Sequence, residues 1–423
     1  MSFNKMLSFY KKNRSLVFAN MNKGSIALFF SNPSNFVLNM NFELDKNFYY
    51  LTGIEENNVA LILIKSIRGH EETFLFLKPN DLLKQKWDGE NLTFEQASKL
   101  TSIPLSNCLD INFIDSFLFN CLNALQNSKY SFIDNFYLDL SKKNINDFEN
   151  LYLSKANYIQ KNYPYVKIFD ICRFLSKMRT IKNEQEIDFI KKAIAFNDKA
   201  LREIAQMLKT GMYEYQITSF YNYFLANHAL RPSFNAIVAS GKNATILHYN
   251  KQKSRIKAND LVLLDLGVNY NNYSSDISVC FPADGKFTFQ QKTIYNIVLE
   301  ANRKIIEWIK PGYTFAQMNK YGKEILTKRL RANSFLGENE TIEKYCYHGL
   351  GHYLGLEVHD VGNIYEPIPN NSVITVEPGL YFEEFNLGIR IEDNILIRNS
   401  GNINLTENIP RKIEDIENLM QKE

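Results

Sequence analysis

The chain has 423 residues, 45% hydrophobic and 22% charged, with a formal net charge of +3. That length exceeds one ordinary core and predicts two or more domains. So small a charge gives no footprint for nucleic acid or an anionic membrane, and neither is expected as a partner.

Cys108, Cys121, Cys172, Cys280 and Cys346 are odd in number, scattered and without a CxxC pair. The pattern fits reduced thiols in a cytosol and gives no structural zinc knuckle. The longest aliphatic run, VALILI from Val59 to Ile64, falls far short of the roughly 18 to 20 residues a membrane helix needs. Asn13, Arg14, Asn20, Asn22 and Lys23 interrupt the N-terminal stretch, so no apolar signal core is expected there. A cytoplasmic protein is expected.

In chain order, the first part alternates strand-like and helix-like stretches through IALFF (Ile26 to Phe30), FYYLTGI (Phe48 to Ile54), VALILI and TFLFLK (Thr73 to Lys78). Such β-branched and aromatic runs predict an α/β domain with a largely buried sheet. From about Thr93 to Lys161 apolar patches mix with many asparagines, and no function is legible. A boundary near Cys172 to Thr180 is expected, giving domains over 1–172 and 173–423.

The clearest helix begins after the Thr180 to Asn183 turn, where Asn183 caps and Glu186 reaches back to the cap. Ile187, Ile190, Ile194, Ala200, Leu201, Ile204 and Leu208 follow a 3.6-residue period, and Lys209 and Gly211 form a stop. DLVLLDLGVNY and YSSDISVCFP then predict two strands joined by a turn at Tyr270 to Tyr273. A long helix from Phe289 to Ile309 halts at Pro311-Gly312. Another helical stretch, a His- and Gly-rich region and two last strands, VITVEP and GIRIEDNILI, complete an expected α+β domain. Strand, helix and strand on either side of about residue 290 hint at an internal duplication.

Asp265, Asp276, His352, Glu377 and Glu392 each lie beside apolar strand-like residues and glycines, where a bare charge is hard to keep. The hairpin brings Asp265 and Asp276 onto adjacent strands. Two carboxylates 5 Å apart repel by about 3 kcal/mol at an effective dielectric near 20. Four around one point require cations. Oxygen donors with a single imidazole suit Mn²⁺, with Co²⁺, Fe²⁺ or Zn²⁺ following by the usual affinity order. Taken singly, each residue also fits a strand end, a charged turn or a packed histidine; the ordered set carries the signal.

In this order and spacing ILHY (Ile246 to Tyr249), DLVLLDLG, YSSDIS, HGLGHYLGLEVHDVG (His348 to Gly362), TVEPGLYF and GIRIEDN closely resemble the Xaa-Pro-cleaving metallopeptidases, aminopeptidase P and prolidase. The resemblance covers about residues 172 to 410. FYYLTGIEENNVALILI, with TFLFLKPND and WDGE (Trp87 to Glu90), resembles the accessory domain of aminopeptidase P, and FPADGKFT leans the same way. The implied architecture is an N-terminal α/β accessory domain followed by a pseudo-twofold creatinase, or pita-bread, catalytic domain.

By motif position the resemblance implies that Asp265 and Asp276 bind one metal, that Asp276 and Glu392 reach both, and that His352 and Glu377 complete the second. Two divalent ions, Mn²⁺ foremost, would then lower the pKa of a bridging water to about 7, yielding a nucleophile that attacks the carbonyl before proline. Glu377 would shuttle a proton to the leaving proline nitrogen. His248 and His359 match positions that steady the substrate and its tetrahedral intermediate, and His348 is a further substrate residue. Gly349, Gly351 and Gly355 make the His348 to His352 stretch turn-rich. Arg390, two before Glu392, would orient that carboxylate or meet substrate. Tyr381 is a pocket wall or a core aromatic; His70 and His228 are surface or packing residues.

The expected substrates are peptides with proline in second position. A prolidase restricted to Xaa-Pro dipeptides shares the motifs, and a non-catalytic binding relative or a metal-independent creatine hydrolase is disfavoured because every ligand position is filled. Relatives imply a homodimer or homotetramer, with Trp87 bordering a neighbour's pocket.

Overall fold

The computed structural model describes residues 3–33, 43–80, 85–87, 89–123, 130, 132–141 and 150–421, with side chains from residue 7. Asp81 of TFLFLKPND, Asp88 of WDGE and residues 124–129, 131 and 142–149 of the asparagine-rich stretch lie outside the described residues. The chain divides into two compact units, Met1–Met178 and Arg179–Glu423.

The first unit is built on a six-stranded mixed sheet. Its order is Cys108–Asp110, Glu71–Leu77, Ala60–Lys65, Ser25–Phe30, Asn135–Leu138 and Lys167–Asp170. Ala60–Lys65 pairs antiparallel with both neighbours, whereas the strands at each edge join in parallel. Ile26, Leu28, Ile62, Phe76 and Phe136 are fully buried in the core, which explains why VALILI and IALFF run apolar without alternation.

FYYLTGI forms a helix, Lys46–Thr52, despite its β-favouring aromatics. Asp45 accepts from the Phe48 amide at 2.6 Å, and Gly53 closes the end at φ 70°. The stretch left unread in the sequence supplies the helices Phe94–Thr101, Ile114–Leu122 and Leu151–Asn162 and the strands Cys108–Asp110 and Asn135–Leu138. Its asparagines work in part as caps: Asn150 accepts from the Leu153 amide at 3.0 Å.

The second unit opens with the helix Glu184–Met207. Asn183 accepts from the amides of Gln185 and Glu186, and Glu186 Oε2 accepts from the Asn183 amide at 2.9 Å. A second helix, Glu214–Asn227, packs on the strand Ile237–Ser240. The hairpin follows, with Leu261–Leu266 antiparallel to Ile277–Pro282 and Asp265 opposite Ser278. Asn271 and Asn272, at φ 48° and 63°, turn it tightly.

The hairpin's tip, Val268–Tyr270 against Tyr273–Ser274, belongs to another small sheet, so each strand breaks beside its aspartate. Gly267 marks the break, where an added Cβ would lie 2.4 Å from the Ser275 carbonyl oxygen.

Beyond residue 290 the pattern repeats. Helices Phe289–Trp308 and Phe315–Ala332, each opened by a Thr/Gln capping box, precede the strand Ser372–Val376, the ribbon Gly379–Phe382 with Leu387–Arg390, and the strand Asp393–Ile397. Among the described residues no helix is long and apolar enough to cross a membrane.

Candidate metal centre

The five residues that the sequence analysis singles out sit at strand ends and breaks. Asp265 is the penultimate residue of Leu261–Leu266, and Asp276 directly precedes Ile277–Pro282. Glu377 follows Ser372–Val376, and Glu392 lies in the two-residue link between Leu387–Arg390 and Asp393–Ile397. His352 belongs to a turn-rich segment stitched along the strand before Glu377. The His352 amide donates to Thr375 Oγ1 at 3.0 Å, the Thr375 amide to the His352 carbonyl at 2.9 Å, and the Glu377 amide to the Leu350 carbonyl at 3.0 Å. This approach needs Gly351, since an added Cβ would sit 2.1 Å from the Thr375 carbonyl oxygen.

Donor atoms of three overlapping sets lie within 4.8 Å of one another: Asp265, Asp276 and Glu392; His352, Glu377 and Glu392; and Asp276, His352 and His359. His352 Nε2 is 3.4 Å from Asp276 Oδ2 and 3.7 Å from Glu377 Oε1. Burial, then the charges of Asp265 and Glu377, push the Asp276 carboxyl well above its usual range. Burial, then Asp276, does the same to Glu392, and burial raises Glu377. Asp265 Oδ1 and Glu392 Oε1 are buried without a hydrogen-bond partner. Crowded acids with orphaned oxygens fit divalent cations, which remove both the repulsion and the vacant acceptor positions.

Arg390 is 4% exposed and braces this centre. Its Nη2 donates to Asp265 Oδ2 at 2.6 Å, Nε to Ser278 Oγ at 2.8 Å and Nη1 to the Tyr381 hydroxyl at 3.1 Å. The hydrogen bond thus goes to Asp265, while Glu392 Oε2 accepts from Ser278 Oγ at 2.9 Å. Leu387–Arg390 and Asp393–Ile397 belong to different sheets, so the two-residue periodicity of one strand does not run from Arg390 to Glu392.

Three other histidines, His248, His348 and His359, lie near this centre. His348 Nε2 meets the Tyr381 hydroxyl at 2.9 Å, and burial followed by the Arg390 charge lowers its pKa to about 4. His359 meets His352 edge to face at 4.2 Å between centroids; desolvation, then His352 and His248, bring it to about 4. His248 is exposed and lies near enough to oppose protonation of both. Tyr381 is fully buried, yet its hydroxyl joins His348 to Arg390. His228 packs between Phe196 and Phe224, and His70 is exposed in the first unit.

Four polar residues at this centre escape the sequence reading. Ser278 stands opposite Asp265, a register that hairpin pairing could have supplied. Asn394 holds the backbone of Asp276 through both its amide groups. Arg411 donates to the Ser278 carbonyl at 3.1 Å, to Asp393 Oδ1 at 3.0 Å and to the Glu392 carbonyl. The Tyr221 hydroxyl is buried without a partner, and burial with the nearby Asp265 and Asp276 charges keeps it protonated. A tyrosine on the inner face of a helix carries no signal that separates it from core.

Comparison with known proteins agrees with this geometry. Residues 188–399 match metallopeptidase family M24, and residues 10–130 match the aminopeptidase P N-terminal domain. The chain is 34% identical to a Xaa-Pro aminopeptidase of Haemophilus influenzae, across 97% of this chain and 96% of that one. It is 31% identical to a Xaa-Pro aminopeptidase of Escherichia coli, across 97% of each. The structure of Zn-substituted E. coli aminopeptidase P in complex with product superposes with a TM-score of 0.87 at 29% identity, covering 99% of both chains. The chain therefore belongs to the aminopeptidase P family of M24 metallopeptidases, with an N-terminal α/β domain and a C-terminal M24 catalytic domain.

Proposed function

We propose that this chain hydrolyses the bond between an N-terminal residue and a following proline in peptides, at two divalent cations held by Asp265, Asp276, His352, Glu377 and Glu392. The observation that carries the proposal is the convergence of these five side chains, with Asp265 Oδ1 and Glu392 Oε1 buried and unpartnered. Four carboxylates with one imidazole favour Mn²⁺, and Co²⁺, Fe²⁺ or Zn²⁺ suit the same donors. When bound, such ions polarise the attacked carbonyl and supply a solvent nucleophile at neutral pH.

The protein's own groups do the rest. Arg390 ties one oxygen of Asp265 and so aims the other at the centre. His348 and His359, both lowered to about 4, are neutral at physiological pH and offer imidazole hydrogen bonds to substrate without adding charge. His248 and His359, both exposed, would steady the substrate carbonyl as it becomes tetrahedral. Tyr381 fixes His348 and walls the pocket. Glu377 takes up the proton that the attacking water gives away and delivers it to the proline nitrogen, which leaves poorly from a tertiary amide unless protonated.

The division of labour we propose gives catalysis to residues from 173 onward and an accessory role to residues 1–172. Trp87, 88% exposed, supports a homodimer or homotetramer in which it borders a neighbour's pocket. Free cysteines throughout the described residues support a cytoplasmic setting. The deciding experiment compares an Xaa-Pro-Xaa tripeptide with an Xaa-Pro dipeptide under Mn²⁺, before and after chelation. Cleavage of the tripeptide, lost on chelation and restored by metal, is expected; cleavage of the dipeptide alone identifies a prolidase.

A further inference from the structure

We propose that Glu214 is a positioning residue for the peptidase reaction, holding the segment that presents His248. Glu214 opens the helix Glu214–Asn227 and is fully buried. Among the described residues no cation pairs with it. Its Oε1 accepts from the Ser240 amide, Ser240 Oγ and Asn243 Nδ2, each at 2.8 Å. Its Oε2 accepts from the Tyr249 hydroxyl at 2.9 Å and the Ser254 amide at 3.0 Å.

All five donors belong to one stretch, Ser240 to Ser254, and His248 stands inside it, next to Tyr249. The backbone adds two more ties, from the Glu214 amide to the Ser254 carbonyl at 3.1 Å and from the Tyr215 amide to the Gln252 carbonyl at 3.0 Å.

A buried carboxylate without a counter-cation is costly, and here hydrogen bonds and the helix N-terminus offset that cost. A glutamine of the same shape would turn its NH₂ towards donors on one side, leaving at least the Ser254 amide or the Ser240 amide unmatched. His248 is exposed and makes no hydrogen bond within the described residues, so the hooked segment alone sets where its ring stands. None of the five metal-centre residues lies in that stretch, so loosening it should spare metal binding.

The inference rests on His248 acting on substrate, and a double-mutant cycle separates the two ideas. In the metal-loaded full-length enzyme, Glu214→Gln is expected to lower kcat/KM for an Xaa-Pro-Xaa peptide about tenfold, while the metal-induced rise in melting temperature stays as in the wild type. In a His248→Ala background the same substitution is expected to change kcat/KM by less than about twofold. Equal losses in both backgrounds, or no loss in Glu214→Gln alone, overturn the positioning role. Unchanged kinetics in His248→Ala itself overturn the substrate role of His248 and this inference with it. Tyr249→Phe, which deletes one of the five donors and keeps the ring, runs through the same cycle with a smaller loss. It decides the question if Glu214→Gln does not fold.

Discussion

Asp360 and Asp276 are buried alike in the second unit, yet their neighbourhoods are opposite. Burial alone would raise the Asp360 carboxyl, but Arg179 Nη2 at 2.6 Å and Lys182 Nζ at 3.0 Å hold it below its usual range. Asp276 faces Asp265 and Glu377 and is driven upward. The first cluster carries its cations in the chain and is complete on folding. The second lacks enough positive charge of its own, because Arg390 serves only one oxygen of one acid. The comparison shows that burial is common to both sets of acids, and that crowding of several carboxylates without matching counter-charge distinguishes the candidate metal ligands.

Several substitutions test that distinction, beginning with the largest effect. Glu377→Gln should leave the fold intact and lower kcat by about 10²- to 10⁴-fold, the usual worth of a positioned proton carrier; kcat near wild type would remove Glu377 from that role. Asp360→Asn leaves buried Lys182 without its carboxylate and Arg179 with Glu357 alone, and should cost about 3–5 kcal/mol of stability, read by denaturant unfolding. Asp276→Asn in metal-free protein should instead leave stability unchanged or raise it, because it relieves repulsion. Similar losses in both variants would erase the contrast.

Added Mn²⁺ should stabilise the wild type by about 2.7 kcal/mol at a hundredfold excess over Kd, and chelation should reverse this. Asp276→Asn should abolish most of that gain, and Asp360→Asn should keep it.

The smallest effect is a pH dependence at Glu186, which burial pushes from 4.5 up to about 7 despite Lys182 nearby. The folded protein then binds this proton more tightly than the unfolded chain. The associated stability is complete below about pH 4.5 and fades as pH rises through about 7. Glu186→Gln keeps the capping geometry and should flatten the decline of melting temperature between pH 5 and 8. An unchanged slope would mean that other groups cause it.

Much of this was legible because short-range chemistry carried it. Asn183 with Glu186 announced a helix start, and alternating apolar runs around an Asn-Asn turn announced the hairpin bearing Asp265 and Asp276. The acids stood out because each lies beside apolar strand-like residues and glycines. Long-range partners left no such trace. The strands Cys108–Asp110 and Asn135–Leu138 are short, and parallel neighbours hold them in the sheet, so their own composition says little. FYYLTGI has strand-like aromatics, yet one cap and one glycine make it a helix. Glu214 reads as a surface helix acid until five donors from residues 26 to 40 positions downstream are seen to surround it. Arg390 was visible, but its partner Asp265 is 125 residues away, and the change of sheet before Asp393 concealed it.

Arg411 bears on how the molecule is made. Its guanidinium joins the carbonyls of Ser278 and Glu392, one from each side of the internal repeat. A growing chain emerges from the ribosome N-terminus first, so the half carrying Asp265 and Asp276 is synthesised well before its clasp. The five residues of the candidate metal centre can therefore come together only after Glu392 has been synthesised, so cutting power follows the second half of this unit.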